Sequence, residues 1–311
     1  MKLSRKIKTA LGESRLLILG AQVLFGFQFN GMFQELFAEL PRLSKMIQCV
    51  GLALLVLTIG LLIAPSMRHR IVEGGESSGG ALNFATNVMD WALAPFAAAL
   101  ALDVFIATER VGGRIWGALV GAGAFALALS FWYAWEFLLR KKERAVSEEA
   151  RESTPLPDKV EQLLTESRVV LPGAQALLGF QLTVTLARAF QELPLESKAA
   201  HVAALCCVAL AVILLMAPAA FHRISFAGED DPAFLRLGSA FVIAAPAPLA
   251  AAIALDTYVA VRRALDSSVA ALILAACALL VLLGLWYGYP LLRRSRGRGR
   301  NRRKRYGERS A

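Results

Sequence analysis

Long apolar blocks alternate with short charged or proline-bearing stretches along the whole chain. Eight blocks fall near Leu16–Phe37, Met46–Met67, Val88–Ala107, Ile115–Leu139, Val169–Phe190, Ala199–Ala220, Leu237–Val261 and Val269–Leu292. Each reaches the ~18–20 residues that cross a hydrocarbon core of about 30 Å at 1.5 Å per helical residue. Lipid cannot satisfy an open strand edge, so a spanning segment is helical unless it closes a barrel. The blocks lack the apolar/polar alternation of barrel strands. The pattern therefore predicts an all-α integral membrane protein with eight transmembrane helices.

The blocks fall into two sets of four. Glu13-Ser14-Arg15 recurs as Glu166-Ser167-Arg168, and Gly20-Ala21-Gln22 as Gly173-Ala174-Gln175. Gly26-Phe27-Gln28 recurs as Gly179-Phe180-Gln181, and Glu39-Leu40-Pro41 as Glu192-Leu193-Pro194. Ala64-Pro65 with His69-Arg70-Ile71 returns as Ala217-Pro218 with His222-Arg223-Ile224, and Ala101-Leu102-Asp103 as Ala254-Leu255-Asp256. All these pairs keep one offset of 153 residues, so no insertion is expected. The reading is a tandem duplication: a first four-helix repeat over 1–140, a polar linker over 141–165, a second repeat over 166–292 and a basic tail over 293–311. Within the linker, Asp158 to Thr165 is expected to form a short surface helix.

Charge sets the orientation. Lys and Arg concentrate in the N-terminal segment, the loops after the second and sixth blocks, the linker and the tail. By the positive-inside rule both termini are cytoplasmic and the protein sits in the cell (inner or plasma) membrane. An even number of spans per repeat gives both copies one orientation, related by a pseudo-twofold axis along the membrane normal. Lys2, Arg5, Lys6 and Lys8 ahead of an apolar stretch imitate a signal peptide. That stretch is long enough to span, however, and its start recurs inside the chain, so it is expected to belong to the mature fold.

Composition agrees and narrows the chemistry. Hydrophobic residues make up 57 %, against roughly 45–50 % in soluble chains, and mean hydropathy is +0.53. Cys49, Cys206, Cys207 and Cys277 lie in apolar blocks without CxxC spacing, so neither zinc nor a redox pair is expected. Ten of the 34 basic residues lie between Arg293 and Arg309. Beside a last span such a run favours anionic lipid headgroups over nucleic acid, at about 1 kcal/mol per residue near the surface. The expected partners are thus the bilayer and its anionic headgroups, with no nucleic acid.

At the repeated Gly-Ala-Gln, Ala-Pro and His-Arg positions, each copy resembles a bacterial family of small four-span membrane proteins known only as a domain of unknown function. The carrying segments are Glu13 to Gln22, Phe37 to Glu39 and Ala64 to Arg70, with their second-copy counterparts. Leu19 departs from the Pro172 of the second copy. The resemblance implies a membrane fold, carries no known activity, and makes this chain a fused form of a single-copy protein.

Polar residues inside the blocks are the site candidates. Asp103 and Asp256 occupy equivalent positions, and a carboxylate at a helix centre costs roughly 2.5–3.5 kcal/mol on insertion scales. They either form a protonatable or cation-contacting site or snorkel to the interface near Arg110 and Arg262. Gln22, Gln28, Gln175 and Gln181 either bond between helices or line a polar path. Glu35 and Arg188 are equivalent positions of opposite charge, which a twofold axis could bring into an inter-repeat ion pair. His69, Arg70, His222 and Arg223 end the second and sixth blocks, where cations suit a helix C-terminus and headgroup contact. Gly113, Gly117 and Gly121 form a small-residue stripe read as packing; at an offset of 153 the second copy, with Asp266, Ala270 and Leu274, lacks it. No HExxH, GxSxG, Walker loop or His/Cys cluster is present, so no catalytic role, cofactor or metal is assigned. The expected function is a non-enzymatic structural or partner-binding membrane protein. The alternative is a small-solute, ion or proton transporter or channel using the paired aspartates.

Overall fold

The computed structural model describes residues 3–134, 151–152, 154–224, 226 and 229–296. The first repeat comprises α1 (Leu3–Gly31), a 3-10 turn at Glu35–Phe37, α2 (Arg42–Ile71), α3 (Gly79–Gly112) and α4 (Arg114–Leu129), which ends in a π-helical turn at Ser130–Ala134. The second comprises α5 (Leu156–Thr185), short α6 (Arg188–Gln191), α7 (Leu195–Ile224), α8 (Pro232–Ala244), α9 (Pro246–Leu265) and α10 (Ser268–Leu283), which ends in a π-helical turn at Gly284–Gly288. Two two-residue strands, β1 (Ser77–Ser78) and β2 (Arg151–Glu152), pair antiparallel. The end of the fourth expected span (135–139), the first part of the linker (141–150) and the basic tail beyond Arg296 lie outside the described residues. Asp158–Thr165 is not a separate surface helix but the opening turns of α5.

Among the described residues, seven helical segments are long and apolar enough to cross a membrane: 5–31, 42–71, 79–112, 114–133, 195–223, 232–265 and 268–296. The fifth expected span, in α5, is not among them. Its uninterrupted apolar part runs only from Val169, after Arg168, to the helix end at Thr185, and it contains Gln175 and Gln181. The seventh span is jointed at Ala245 between α8 and α9, where Pro246 brings no backbone N–H to the first turn of α9. Its counterpart α3 runs unbroken through Pro95.

The repeat is written into the element boundaries. Helices α2 and α7 start and end 153 residues apart, as do α3 and the α8–α9 pair. The last helices do not: α4 opens at Arg114 and α10 at Ser268, an offset of 154. The turn holds the extra residue. The first repeat turns on Gly113 alone (φ 82°), whereas the second uses Asp266 (φ 51°) and then Ser267, whose side chain caps Ala270 N–H. The uniform offset of 153 is therefore corrected beyond this turn. At 154 the small stripe does recur, as Ser267, Ala271 and Ala275, and Trp132-Tyr133 aligns with Trp286-Tyr287. Both tyrosines follow suit: Tyr133 Oη donates to the Asp90 carbonyl and Tyr287 Oη to the Ile243 carbonyl, equivalent residues in the two copies.

Between the repeats, α1 and α5 lie side by side and parallel. Gln22 abuts Gly173, and further along Phe27 meets its own equivalent Phe180 at 4.6 Å between ring centroids. A Cβ on Gly173 would sit 1.6 Å from Gln22 Oε1, so only glycine admits that side chain. The remaining contacts are not reciprocal. Helix α2 packs against α8, α9 and α10, but α7 has no comparable contact with α3 or α4. The reason is sequence divergence at one crossing. Gly60 on α2 is a notch against Leu282 and Leu285, and buried Trp286 donates Nε1–H to its carbonyl at 2.9 Å. The Gly60 counterpart is Ile213, largely exposed on α7, while Trp132 stacks on Phe96 within its own repeat.

At the end carrying the linker, a strap follows α2 and packs against α1 and α3. β1 pairs with β2, Ser77 N–H donates to Thr154 Oγ1 at 3.1 Å, and Glu76 accepts from Lys159 Nζ and from Thr154 N–H. Partial burial pushes the Glu76 carboxyl up, but the bonds from Lys159 and Thr154 and the Lys159 charge outweigh it, leaving it below the usual range.

Two outcomes follow. Gly117→Ala places a methyl 2.9 Å from the Phe105 carbonyl oxygen, whereas Gly123 has open space beside it. Thermal unfolding in detergent should show Gly117→Ala destabilising by about 1–3 kcal/mol and Gly123→Ala with no loss. For the strap, a depressed carboxylate contributes stability that is present above its unfolded value and lost as pH falls through its folded value. Hydrogen exchange at Ser77 and Thr154, corrected for intrinsic rates, should be slow near neutral pH and speed up as pH falls below the usual carboxylate range. Glu76→Gln should remove that dependence.

Candidate functional site

The intramembrane candidates come together as two equivalent pairs. Gln28 on α1 donates Nε2–H to Asp103 Oδ1 on α3 at 2.7 Å. Gln181 on α5 donates Nε2–H to Asp256 Oδ2 on α9, also at 2.7 Å. An amide and a carboxylate chosen 75 residues apart in each copy thus close the same helix–helix contact. Asp256 is fully buried, so interfacial snorkelling is excluded for it; Asp103 is half-buried.

The second pair has a third member that the sequence reading missed. His201 on α7 is fully buried, stacked on Phe29 of α1 at 5.7 Å and edge-on to Phe190 at 5.2 Å. Its Nε2 lies 3.0 Å from the Gln181 carbonyl, which can only accept, so this nitrogen carries the proton. Nδ1 faces Asp256 Oδ1 at 3.6 Å. The counterpart of His201 is Gln48. A polar residue at the same place in two otherwise apolar helices was the available signal.

The other two glutamines separate. Gln22 is buried at the α1–α5 contact, and neither end of its amide has a hydrogen-bond partner among the described residues. Gln175 is exposed. An open groove of about 430 Å³ lies between α2, α3 and α4, walled by apolar side chains including Ile47, Leu102, Phe105, Ala118 and Phe125.

The densest polar cluster lies near the strap and joins the repeats. His69 and Arg70, at the end of α2, are buried rather than set among headgroups. His69 Nδ1 lies 2.7 Å from Glu166 Oε1, and Arg70 Nε donates to Glu166 Oε2 at 2.7 Å. Arg70 Nη1 also reaches Ser239 Oγ on α8 at 3.3 Å. The expected headgroup contact of His69 and Arg70 is corrected accordingly: the carboxylate of the other repeat takes the place of a lipid phosphate. His222 is half-buried beside Phe234, with Asp230 at 4.0 Å, and Arg223 is exposed.

The expected Glu35–Arg188 pair does not form. Both residues are exposed and no ion pair joins them. Helices α1 and α5 stop at Gly31 and Thr185, and the 3-10 turn and α6 that follow carry the two charges to the surface.

A family model described as a family of unknown function (DUF6328) matches residues 1–136 and again 152–290. The chain belongs to this family, and the two matched segments accord with a tandem duplication of its unit. No curated protein and no solved structure matches the chain.

The cross-repeat cluster makes a sharp prediction. Glu166→Ala leaves the buried Arg70 guanidinium and the His69 ring without their carboxylate and should cost about 3–5 kcal/mol. The equivalent change at exposed Glu13 should stay within about 0.5 kcal/mol. Thermal unfolding in nanodiscs reads both.

Proposed function

We propose that the protein is a non-enzymatic, multi-pass component of the cell membrane with a structural or partner-binding role. In this reading eight segments cross the bilayer as two like-facing four-helix units, and both termini are cytoplasmic. Parallel α1 and α5, meeting at equivalent depths through Phe27 and Phe180, support the like-facing arrangement.

The observation that carries the structural role is the use made of the intramembrane carboxylates. Each is bound by an amide of its own unit, in the same geometry, between helices that pack together. Hydrogen bonds of this kind hold helices in a medium with no competing water, at about 0.6–2 kcal/mol each. The basic tail is assigned to anionic headgroups on the same side. A second reading, proton or small-solute transport, draws on His201 beside Asp256, a buried titratable pair at the inter-repeat contact.

One experiment separates the two. Reconstituted protein should pass no more protons or small ions than empty liposomes, while Asp103→Leu and Asp256→Leu lower the unfolding temperature. A flux through the native protein that Asp103→Asn and Asp256→Asn abolish, with stability retained, would replace the structural role by transport.

A further inference from the structure

The His69–Arg70–Glu166 cluster is one half of a symmetric design whose other half stands open. The closed half has a plug, the His-Arg end of α2, and a socket, Glu166 and Ser239 between α5 and α8. The 153-residue offset generates the second set without ambiguity. Its plug is His222-Arg223 at the end of α7, and its socket is Glu13 and Thr86 between α1 and α3. The socket walls are built alike: Ser239 Oγ donates to the Leu235 carbonyl and Thr86 Oγ1 to the Leu82 carbonyl, equivalent residues. Small apolar clusters hold each wall together, Val160 and Leu163 with Phe234 in one, Ile7 and Leu11 with Ala81 in the other.

In the closed set Glu166, His69 and Arg70 are all buried. In the open set Glu13, Thr86 and Arg223 are all exposed, and His222 is half-buried. The chain does not close the second set on itself, because α7 does not lie along α3 and α4. The α2 crossing uses the Gly60 notch against Leu282 and Leu285, with Trp286 on the Gly60 carbonyl; Ile213 fills the equivalent place on α7, and Trp132 is engaged with Phe96.

The geometry points to a second copy of this chain as the occupant: the His222-Arg223 plug of one molecule enters the Glu13-Thr86 socket of another. The chemistry is that of the closed set, a guanidinium and an imidazole on one carboxylate with a hydroxyl alongside. The plug and socket sit in different repeats, so the second repeat of one molecule meets the first repeat of the other. Because Ile213 prevents the deeper helix crossing, the contact rests on helix ends near the strap-bearing face.

The test uses the full chain in nanodiscs and in native membranes. Two differently tagged chains are co-expressed with their native cysteines replaced by alanine, one carrying Glu13→Cys and the other Arg223→Cys, and are oxidised. The expected product is a disulfide-linked species bearing both tags, absent when either cysteine is omitted. Separately, Glu13→Arg and Arg223→Glu should each weaken self-association by about tenfold or more, as breaking one side of a close charge pair does. The two changes combined in one chain should restore it. A crosslink formed only within a chain carrying both cysteines would overturn the proposal in favour of internal closure. Self-association insensitive to Glu13→Arg but dependent on anionic lipid would overturn it in favour of a headgroup phosphate on Arg223. A monomer at all concentrations, with no crosslink, would overturn it outright.

Discussion

Hydrocarbon offers no hydrogen bond to a buried polar group, and the architecture answers that constraint. Helix formation meets most backbone donors and acceptors in a span, which leaves the polar side chains as the problem. Asp103 and Asp256 would be costly alone. Gln28 and Gln181 meet them from neighbouring helices at a fixed 2.7 Å. The pair thereby sets the relative depth of α1 and α3, and of α5 and α9, as well as neutralising a liability. Helix α5 shows the limit of the arrangement. It carries enough polarity, at Gln175 and Gln181, to fall short of an independent apolar span, and it lies between α1, α7 and α8 instead.

The two repeats share a backbone plan but divide the burial unequally. Helix α2 lies against both units, whereas α7 exposes Val202, Leu210, Ile213 and Met216. Single substitutions account for this. The missing side chain at Gly60 lets Leu282 and Leu285 approach α2, whereas the equivalent place on α7 is filled by Ile213. Gln48 on one side becomes His201 on the other, where Phe29 of the first repeat supplies a stacking face. A homodimer cannot diverge in this way, since it must present the same residue on both sides of its interface.

Much of the plan was legible in the sequence because repetition filters noise. Helix positions, the duplication and the Gln–Asp candidates all emerged from motifs recurring at one spacing. What was not legible fell where that spacing fails or where the copies differ. The extra residue at Asp266-Ser267 shifted the last helix to an offset of 154, hiding both the Trp-Tyr motif and the second small stripe. His201 stood out only against Gln48, and a single polar residue in an apolar run carries little weight alone. The burial of His69 and Arg70 depends on Glu166 arriving from another part of the chain, a contact nearly one hundred residues away that local charge rules cannot foresee. Glu35 and Arg188 failed for the converse reason: equal depth does not fix azimuth once the helices have ended.

The linker between the repeats has a thermodynamic consequence. Two units on one polypeptide meet at a high effective concentration, so their association need not be strong enough to gather separate molecules from a dilute membrane. An interface relieved of that duty can give up one of two matching contacts and still hold. Tethering thus frees a set of charged groups for other use while stoichiometry stays fixed at one to one.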